Sequence, residues 1–318
     1  MDLLSEIELP TPPQTALRLI QLCNNPDVGV RELCEVVSLD AALSAKLLRA
    51  ASSAYYGQQY EISTLERAAV VLGFGHVKVV ALGFHLVGLA QQCDEKVLDL
   101  RAVWQGNVLR ACLARQLARC SEVSVARCGE EAFLVGLLQD FAVPMIAGVI
   151  GEAYADRLGQ GGLYTTHDLL ALEHEVAGSN HAHLAGRIFD LWRLPPLLTF
   201  AITNHHVTPP EAIPTDKAMA LWQLAYWVGA IPFNEDHQTA PVAEGLRRLA
   251  LAAFALDTDG LGKAFYLAME EYESLRTIFD AALPRDVDGA AILERARDLL
   301  LALEVGDATD PPQGLDAQ

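Results

Sequence analysis

Helix start and stop signals recur along this chain, and no run of strict apolar–polar alternation bounded by turns, which a β-protein needs, lies between them. The expected fold class is all-α. Pro12-Pro13 stand where the first turn of a helix tolerates proline, and Ala16, Leu17, Leu19, Ile20 and Leu22 then mark an apolar face that closes at Asn24-Asn25-Pro26. A short helix over Val30 to Val37 precedes Asp40, which caps a helix carrying Leu43, Leu47, Leu48 and Ala51 and halted near Tyr56-Gly57. Ser63-Thr64-Leu65-Glu66 has the capping-box spacing with Ser63 at the cap, and Gly73-Phe74-Gly75 ends the helix that follows.

The stretch Val77 to Gln92 is apolar almost all round, as suits a central helix with neighbours on several sides. Asp94-Glu95-Lys96 is the most polar break after it and divides an N-terminal helical subdomain, residues 1–95, from a second helical unit, residues 96–210. That unit opens with a long helix, roughly Val97 to Arg119. Further helices are expected near 130–150, 168–177, 180–192, 195–206 and 217–230, and weaker ones near 241–256, 261–279 and 289–303. Residues 211–303 thus add C-terminal helices. Residues 304–318, with Asp307, Asp310, Pro311-Pro312 and Asp316, have too few apolar side chains to pack and are expected to be disordered.

Charge narrows the partners. With 23 Lys and Arg against 41 Asp and Glu, the formal charge of −18 repels phosphate backbones and anionic headgroups, so neither nucleic acid nor a membrane surface is expected. Arg110, Arg115 and Arg119, on one helix, form the one local basic patch that could act against this field. The uncharged apolar stretches Val79 to Cys93 and Ala218 to Phe233 fall short of the roughly 18 to 20 residues a membrane span needs. Met1 to Glu6 is acidic with no basic segment before an apolar run, so no secretory signal is read and the cytoplasm is the expected location. Cys23, Cys34, Cys93, Cys112, Cys120 and Cys128 show neither CxxC nor zinc-knuckle spacing and read as reduced, mostly buried thiols.

No phosphate-binding GxxxxGK[ST] loop, no GxGxxG after a strand and no GxSxG elbow is present, and Gly161-Gly162 reads as a loop. The chemistry-bearing residues sit in the middle third: Gln139-Asp140, His181, His183 and the pair His205-His206. Imidazole and carboxylate together suit first-row metal ions, which activate water. Neighbouring helical residues diverge by about 100°, so at most one of His205 and His206 is expected to serve such an ion. The alternative is that His181 and one of the pair are core or capping histidines bonded to backbone. Trp192 with Leu194-Pro195-Pro196 reads as a helix stop and a proline restart. Tyr55-Tyr56 reads as aromatic filling at a helix end.

In order and spacing, Leu9-Pro10-Thr11-Pro12-Pro13, Ser38 to Arg49, Ser52-Ser53-Ala54-Tyr55-Tyr56-Gly57, Ile62 to Ala68 and Leu72-Gly73 resemble the N-terminal signature of the HDOD family, the HD-related output domain of bacterial signalling proteins. Ala41 stands where the family usually has proline, and Ser52 where it usually has asparagine. Ala132 to Asp140 resembles the segment that carries the His-Asp doublet of catalytic HD proteins, and Glu173 to His206 resembles the later block. The resemblance covers roughly residues 9 to 207. It implies an N-terminal helical subdomain packed on a degenerate HD-like bundle.

Catalytic HD phosphohydrolases hold their metal with an early His, the His-Asp doublet, later His residues and a last Asp. By the resemblance those positions here are Gly106 or Asn107, Gln139 with Asp140, and Tyr226, so Asp140, His181, His205 and His206 are the residual candidates and no metal or other cofactor is expected. The resemblance implies a non-enzymatic signal-transduction module whose partners are two-component or cyclic-di-GMP signalling proteins. Two alternatives stand beside it. One is a residual metal-dependent phosphohydrolase using Asp140, His181 and His205 or His206; the other is a small-molecule sensor with a cleft lined by Gln139, Asp140 and His181.

Overall fold

Side-chain caps and prolines set the first helices of the computed structural model, which describes residues 9–52, 56, 62–90, 100–151, 153, 166–230, 247–248, 250–275 and 278–279. Helix α1 (Gln14–Asn24) begins after Pro13, and α2 (Val30–Val37) after Gly29, whose N–H donates to Glu32 Oε2 at 3.2 Å. Asp40 caps α3 (Ala41–Ala51), its carboxylate accepting from the Leu43 N–H at 2.9 Å. That helix ends sooner than Tyr56-Gly57. Ser52 Oγ donates to the Leu48 carbonyl and accepts from the Ile62 N–H, both at 2.9 Å, and so turns the chain.

The cap of α4 (Leu65–Leu72) is Thr64 and not Ser63, with Oγ1 accepting from the Arg67 N–H at 3.2 Å. Gly73, at φ 94, takes a left-handed turn that bends the path by 109° into α5 (Phe74–Ala90). Phe74 and Gly75 therefore open a helix and do not close one. As its apolar sequence implies, α5 is central, with Val80, Ala81, Leu82 and Leu86 fully buried.

The chain continues through α6 (Leu100–Cys120), a 3-10 turn (Ser124–Ala126), α7 (Gly129–Leu138), α8 (Val143–Val149), α9 (Thr166–Ala177), α10 (His181–Leu191), α11 (Pro196–Thr203), α12 (Lys217–Gly229) and α13 (Thr258–Leu275). No strand occurs among the described residues. One helix expected near 130–150 is two, interrupted at residues 139–142. The stretch Gly129–Val149 is long and apolar enough to cross a membrane, but 89% of its most apolar window is buried inside the protein, as in a core helix. Leu19, Val80, Leu137 and Phe265 belong to one continuous buried core that runs from the N-terminal helices to α13. The Trp192 indole N–H donates to the Pro10 carbonyl at 3.2 Å, and Asn24 Nδ2 to the Arg193 carbonyl at 2.9 Å, so the N-terminal segment is stitched to the α10–α11 corner.

The expected boundary at Asp94-Glu95-Lys96, Cys93, Tyr55, Gly57, Gly161-Gly162, the helix near 289–303 and the tail 304–318 lie outside the described residues. Cys34, Cys112 and Cys128 are buried free thiols, while Cys23 and Cys120 are half-buried. Burial pushes Cys23 up to about 11 and, with Glu131 nearby, Cys128 up to about 12, which leaves both as unreactive thiols at neutral pH.

Helix α6 is the spine, and two features of it position the rest. The first is close approach: a Cβ on Gly136 of α7 would stand 2.8 Å from backbone atoms of Arg110 and Ala111, so only glycine allows these helices this spacing. The second is charge. The Arg115 guanidinium is fully buried and donates to Glu130, Glu271 and His76, and it stacks 4.5 Å above the Phe133 ring. Gln116 donates to the second oxygen of Glu271, and Arg119 Nη2 donates to Glu130 at 2.8 Å. The three arginines that could have formed a basic patch thus form none. Arg115 is inside and Arg110 nearly so, each met by carboxylates because a buried guanidinium is tolerated only then, and the exposed Arg119 is paired with Glu130.

Two stability measurements follow from this packing. Gly136→Ala forces α6 and α7 apart and is expected to lower unfolding free energy by about 1–3 kcal/mol, read by urea titration at pH 7.5; an unchanged midpoint contradicts the close-approach reading. His76 is held well below the usual imidazole range by burial and by Arg115 and Arg119. The unfolded chain then takes up a proton at this residue near pH 6.5 that the folded chain refuses, so stability present above that pH is lost as pH falls. His76→Gln is expected to flatten the stability slope between pH 6.5 and 5 by up to about 1.4 kcal/mol per pH unit.

Candidate functional site

Breaks in helices, and not helix faces, bring the candidate residues together. Gln139 is the C-cap of α7 and Asp140 lies in the turn before α8, where the Phe141 N–H returns to the Leu138 carbonyl at 3.0 Å. Asn180 caps α10, accepting from the His183 N–H at 3.0 Å, which places His181 in the first helical turn. Helix α11 ends at Thr203, and His205 and His206 fall in the turn that follows. Ligand atoms of Asp140, His181, His205 and His206 all lie within 4.8 Å of one another.

This arrangement corrects the expectation that only one of His205 and His206 faces the site. The 100° divergence of neighbouring residues holds inside a helix, and these two stand beyond its end, their rings 3.8 Å apart between centroids. His206 Nε2 is 2.8 Å from His181 Nε2, and His205 Nε2 is 3.4 Å from it. Asp140 Oδ1 lies 3.6 Å from His181 Nε2 and 3.5 Å from His205 Nε2. His183 does not join them; it is exposed.

A second layer orients this first one. Glu173, fully buried on α9, accepts from the His181 backbone N–H at 2.8 Å and holds His181 Nδ1 at 2.8 and 3.0 Å. His205 Nδ1 donates to the Ile202 carbonyl at 2.6 Å. Carboxylate and carbonyl oxygens only accept, so both Nδ1 atoms carry protons and each ring turns its Nε2 inward, where in the neutral form it presents a lone pair. Arg110 Nη1 donates to Asp140 Oδ2 at 2.7 Å and to Asn107 Oδ1 at 3.0 Å. Asp140 Oδ1 is then left facing the imidazoles, buried and with no hydrogen bond of its own.

The electrostatics follow from these contacts. Burial raises the Asp140 carboxyl, but Arg110 and the imidazoles of His205 and His181 outweigh it and hold the group well below the usual carboxylate range. Burial lowers His181, yet Glu173 and Asp140 more than offset this and raise it. Burial lowers His205 despite Asp140. His206 is pushed down by burial and by His205 and His181. The cluster is an electron-pair-rich pocket whose chemistry favours a cation.

The positions that the resemblance marks as degenerate have other engagements. Gly106 and Asn107 are buried on α6, with Asn107 engaged by Arg110. Gln139 is fully buried and turns its amide towards Gly229, where a Cβ would stand 3.0 Å from Nε2. The Tyr226 hydroxyl, on α12, accepts from Thr208 Oγ1 at 3.4 Å. The cleft expected to be lined by Gln139, Asp140 and His181 is not open at those residues, which are at most 3% exposed; His206, partly exposed, is the edge of the cluster that solvent reaches. Sequence reasoning missed Glu173 and Arg110 as site residues. Their partners are eight and thirty positions away, across a cap and a close helix contact that no local spacing encodes.

The family profile of the HDOD domain matches residues 9–208. No curated protein matches the chain. Among solved structures, an HDOD domain protein with unknown function from Geobacter sulfurreducens superimposes with a TM-score of 0.63 at 19% identity, covering 88% of this chain and 96% of its own. A protein of Shewanella amazonensis SB2B, provisionally named a phosphohydrolase, does so at 0.61 and 26% identity, covering 88% and 98%. A protein provisionally named for signal transduction, from Marinobacter aquaeolei VT8, gives 0.60 at 22% identity; the match covers 88% of this chain but only 61% of that longer one.

Replacing Glu173 tests the orienting layer. Glu173→Gln keeps an acceptor but removes the charge that raises His181. A raised imidazole contributes stability that is fully present below pH 6.5 and lost as pH rises through its folded value. The variant, measured with chelator present, is expected to lose roughly 1–3 kcal/mol at pH 6 and distinctly less at pH 9; equal losses at both would refute the charge pairing.

Proposed function

The chain belongs to the HDOD domain family, and from that premise we propose that it is a bacterial, cytoplasmic signal-transduction module that acts by binding other signalling proteins and not by turnover. The observation that carries this reading is the fate of the ligand positions. Where the resemblance places the early histidine, the doublet histidine and the last aspartate of a catalytic HD centre, this chain has Asn107 or Gly106, Gln139 and Tyr226, which offer neither imidazole nor carboxylate to the cluster. The doublet aspartate is also engaged: Arg110 occupies Asp140 Oδ2, so one carboxylate oxygen already has its cation. Components of two-component or cyclic-di-GMP pathways are the proposed partners. The input they carry would reach this chain from another molecule or through the helices beyond residue 210.

A second reading, a residual metal-dependent phosphohydrolase, is favoured by the convergence of Asp140, His181, His205 and His206 and by the name of the Shewanella amazonensis structure. Turnover separates the two. The full chain, supplied in turn with manganese, iron(II) and zinc, is expected to leave bis(p-nitrophenyl) phosphate, ATP and cyclic di-GMP uncleaved, at the rate of the Asp140→Asn variant. Cleavage above that background, lost on Asp140→Asn, would replace the first reading by the second.

A further inference from the structure

We propose that Asp140, His181, His205 and His206 bind one divalent transition-metal ion of the zinc class in a closed, four-coordinate site that clasps three chain segments together. This goes beyond the signalling reading and stands apart from it, since a clasp is compatible with any partner.

Spacing is the first argument. A tetrahedral ion with bonds of about 2.0–2.1 Å keeps its donor atoms about 3.3 Å from one another. The separations from Asp140 Oδ1 to His181 and His205 Nε2 and between those two nitrogens are 3.6, 3.5 and 3.4 Å; the His181–His206 contact, at 2.8 Å, must open slightly, and the His206 donor lies within 4.8 Å of the other two. The second argument is an unmet need. Asp140 Oδ1 is buried without a hydrogen bond, and it faces the Nε2 atoms of two imidazoles whose Nδ1 protons are held by Glu173 and the Ile202 carbonyl, so that in the neutral rings both Nε2 atoms are free to ligate. Lone pairs so gathered in a dry interior call for a cation between them.

Donor chemistry selects the ion. Three imidazoles and one carboxylate suit zinc and its first-row neighbours, whereas magnesium and calcium take oxygen donors. The ordered second layer is that of a held metal: Glu173 fixes one ring, Ile202 a second, and Arg110 turns Asp140 so that the free oxygen faces the imidazoles. Four protein donors complete a tetrahedron, which leaves no position for a water and makes the site structural. The segments it joins are the α7–α8 turn, the start of α10 and the turn after α11, and entry is from the partly exposed His206 side.

The test uses the full chain, stripped with chelator and titrated with zinc by calorimetry and with cobalt(II) by visible absorption. One ion per chain is expected, with the intense bands of tetrahedral cobalt and a rise in Tm. His206→Ala, and His206→Gln should the first misfold, is expected to weaken binding at least tenfold and to shift those bands as the fourth ligand changes from imidazole. Glu173→Gln is expected to weaken it 10- to 100-fold without touching the ion. Absence of a bound ion, binding that His206→Gln and Asp140→Asn leave unchanged, or five- or six-coordinate cobalt in the parent chain would each overturn the proposal. Phosphoester cleavage with intact stoichiometry would instead overturn the signalling reading alone.

Discussion

Two guanidinium groups on one helix govern this structure. Arg110 and Arg115 both project from α6 into the protein, with side chains 11% and 0% exposed, and each must be met by carboxylates from elsewhere in the chain. Arg115 draws Glu130 from the start of α7 and Glu271 from α13, while Arg110 draws Asp140 from the turn after α7. An uncompensated buried charge costs several kcal/mol, so these pairings dictate how α7 and α13 lie on α6. The bare face of α7 at Gly136 makes the approach possible, one helical turn before the aspartate it delivers.

Further along, interruption does what periodicity does elsewhere. The gap between α7 and α8, the cap at Asn180 and the end of α11 each release a polar side chain from the geometry of a helix face, and the released groups converge. Glu173 and the Ile202 carbonyl then settle which nitrogen of each ring carries the proton. The resulting centre resembles the histidine-and-carboxylate sites of hydrolases in composition, with Arg110 on one oxygen of Asp140 and His206 beside His181.

Much of the fold was legible residue by residue. Pro13, Asp40 and Gly73 end or begin helices as their backbone and side-chain chemistry requires, and the all-round apolarity that begins at Val77 is that of the central helix, which is described as far as Ala90. The errors are local and have local causes. Ser63 and Thr64 are chemically equivalent caps, and only the direction of the entering chain favours the second. The apolar stretch from 130 to 150 carries its own break signal in Pro144 at the start of α8, which has no N–H to return to the Asp140 carbonyl and whose ring would clash with it, so the helix stops at Leu138 and restarts at Val143.

The sequence alone determined the helical class, the family, and the set of residues from which a site could be built, because caps, apolar periodicity and residue chemistry are properties of short segments. Tertiary structure decided which of those residues meet. That His205 and His206 point the same way, that three arginines on one helix form no surface patch, and that Glu173 serves His181 all depend on where helices end and how closely they pack. Those are outcomes of pairing buried charge and filling volume across the whole chain, and no segment read by itself contains them.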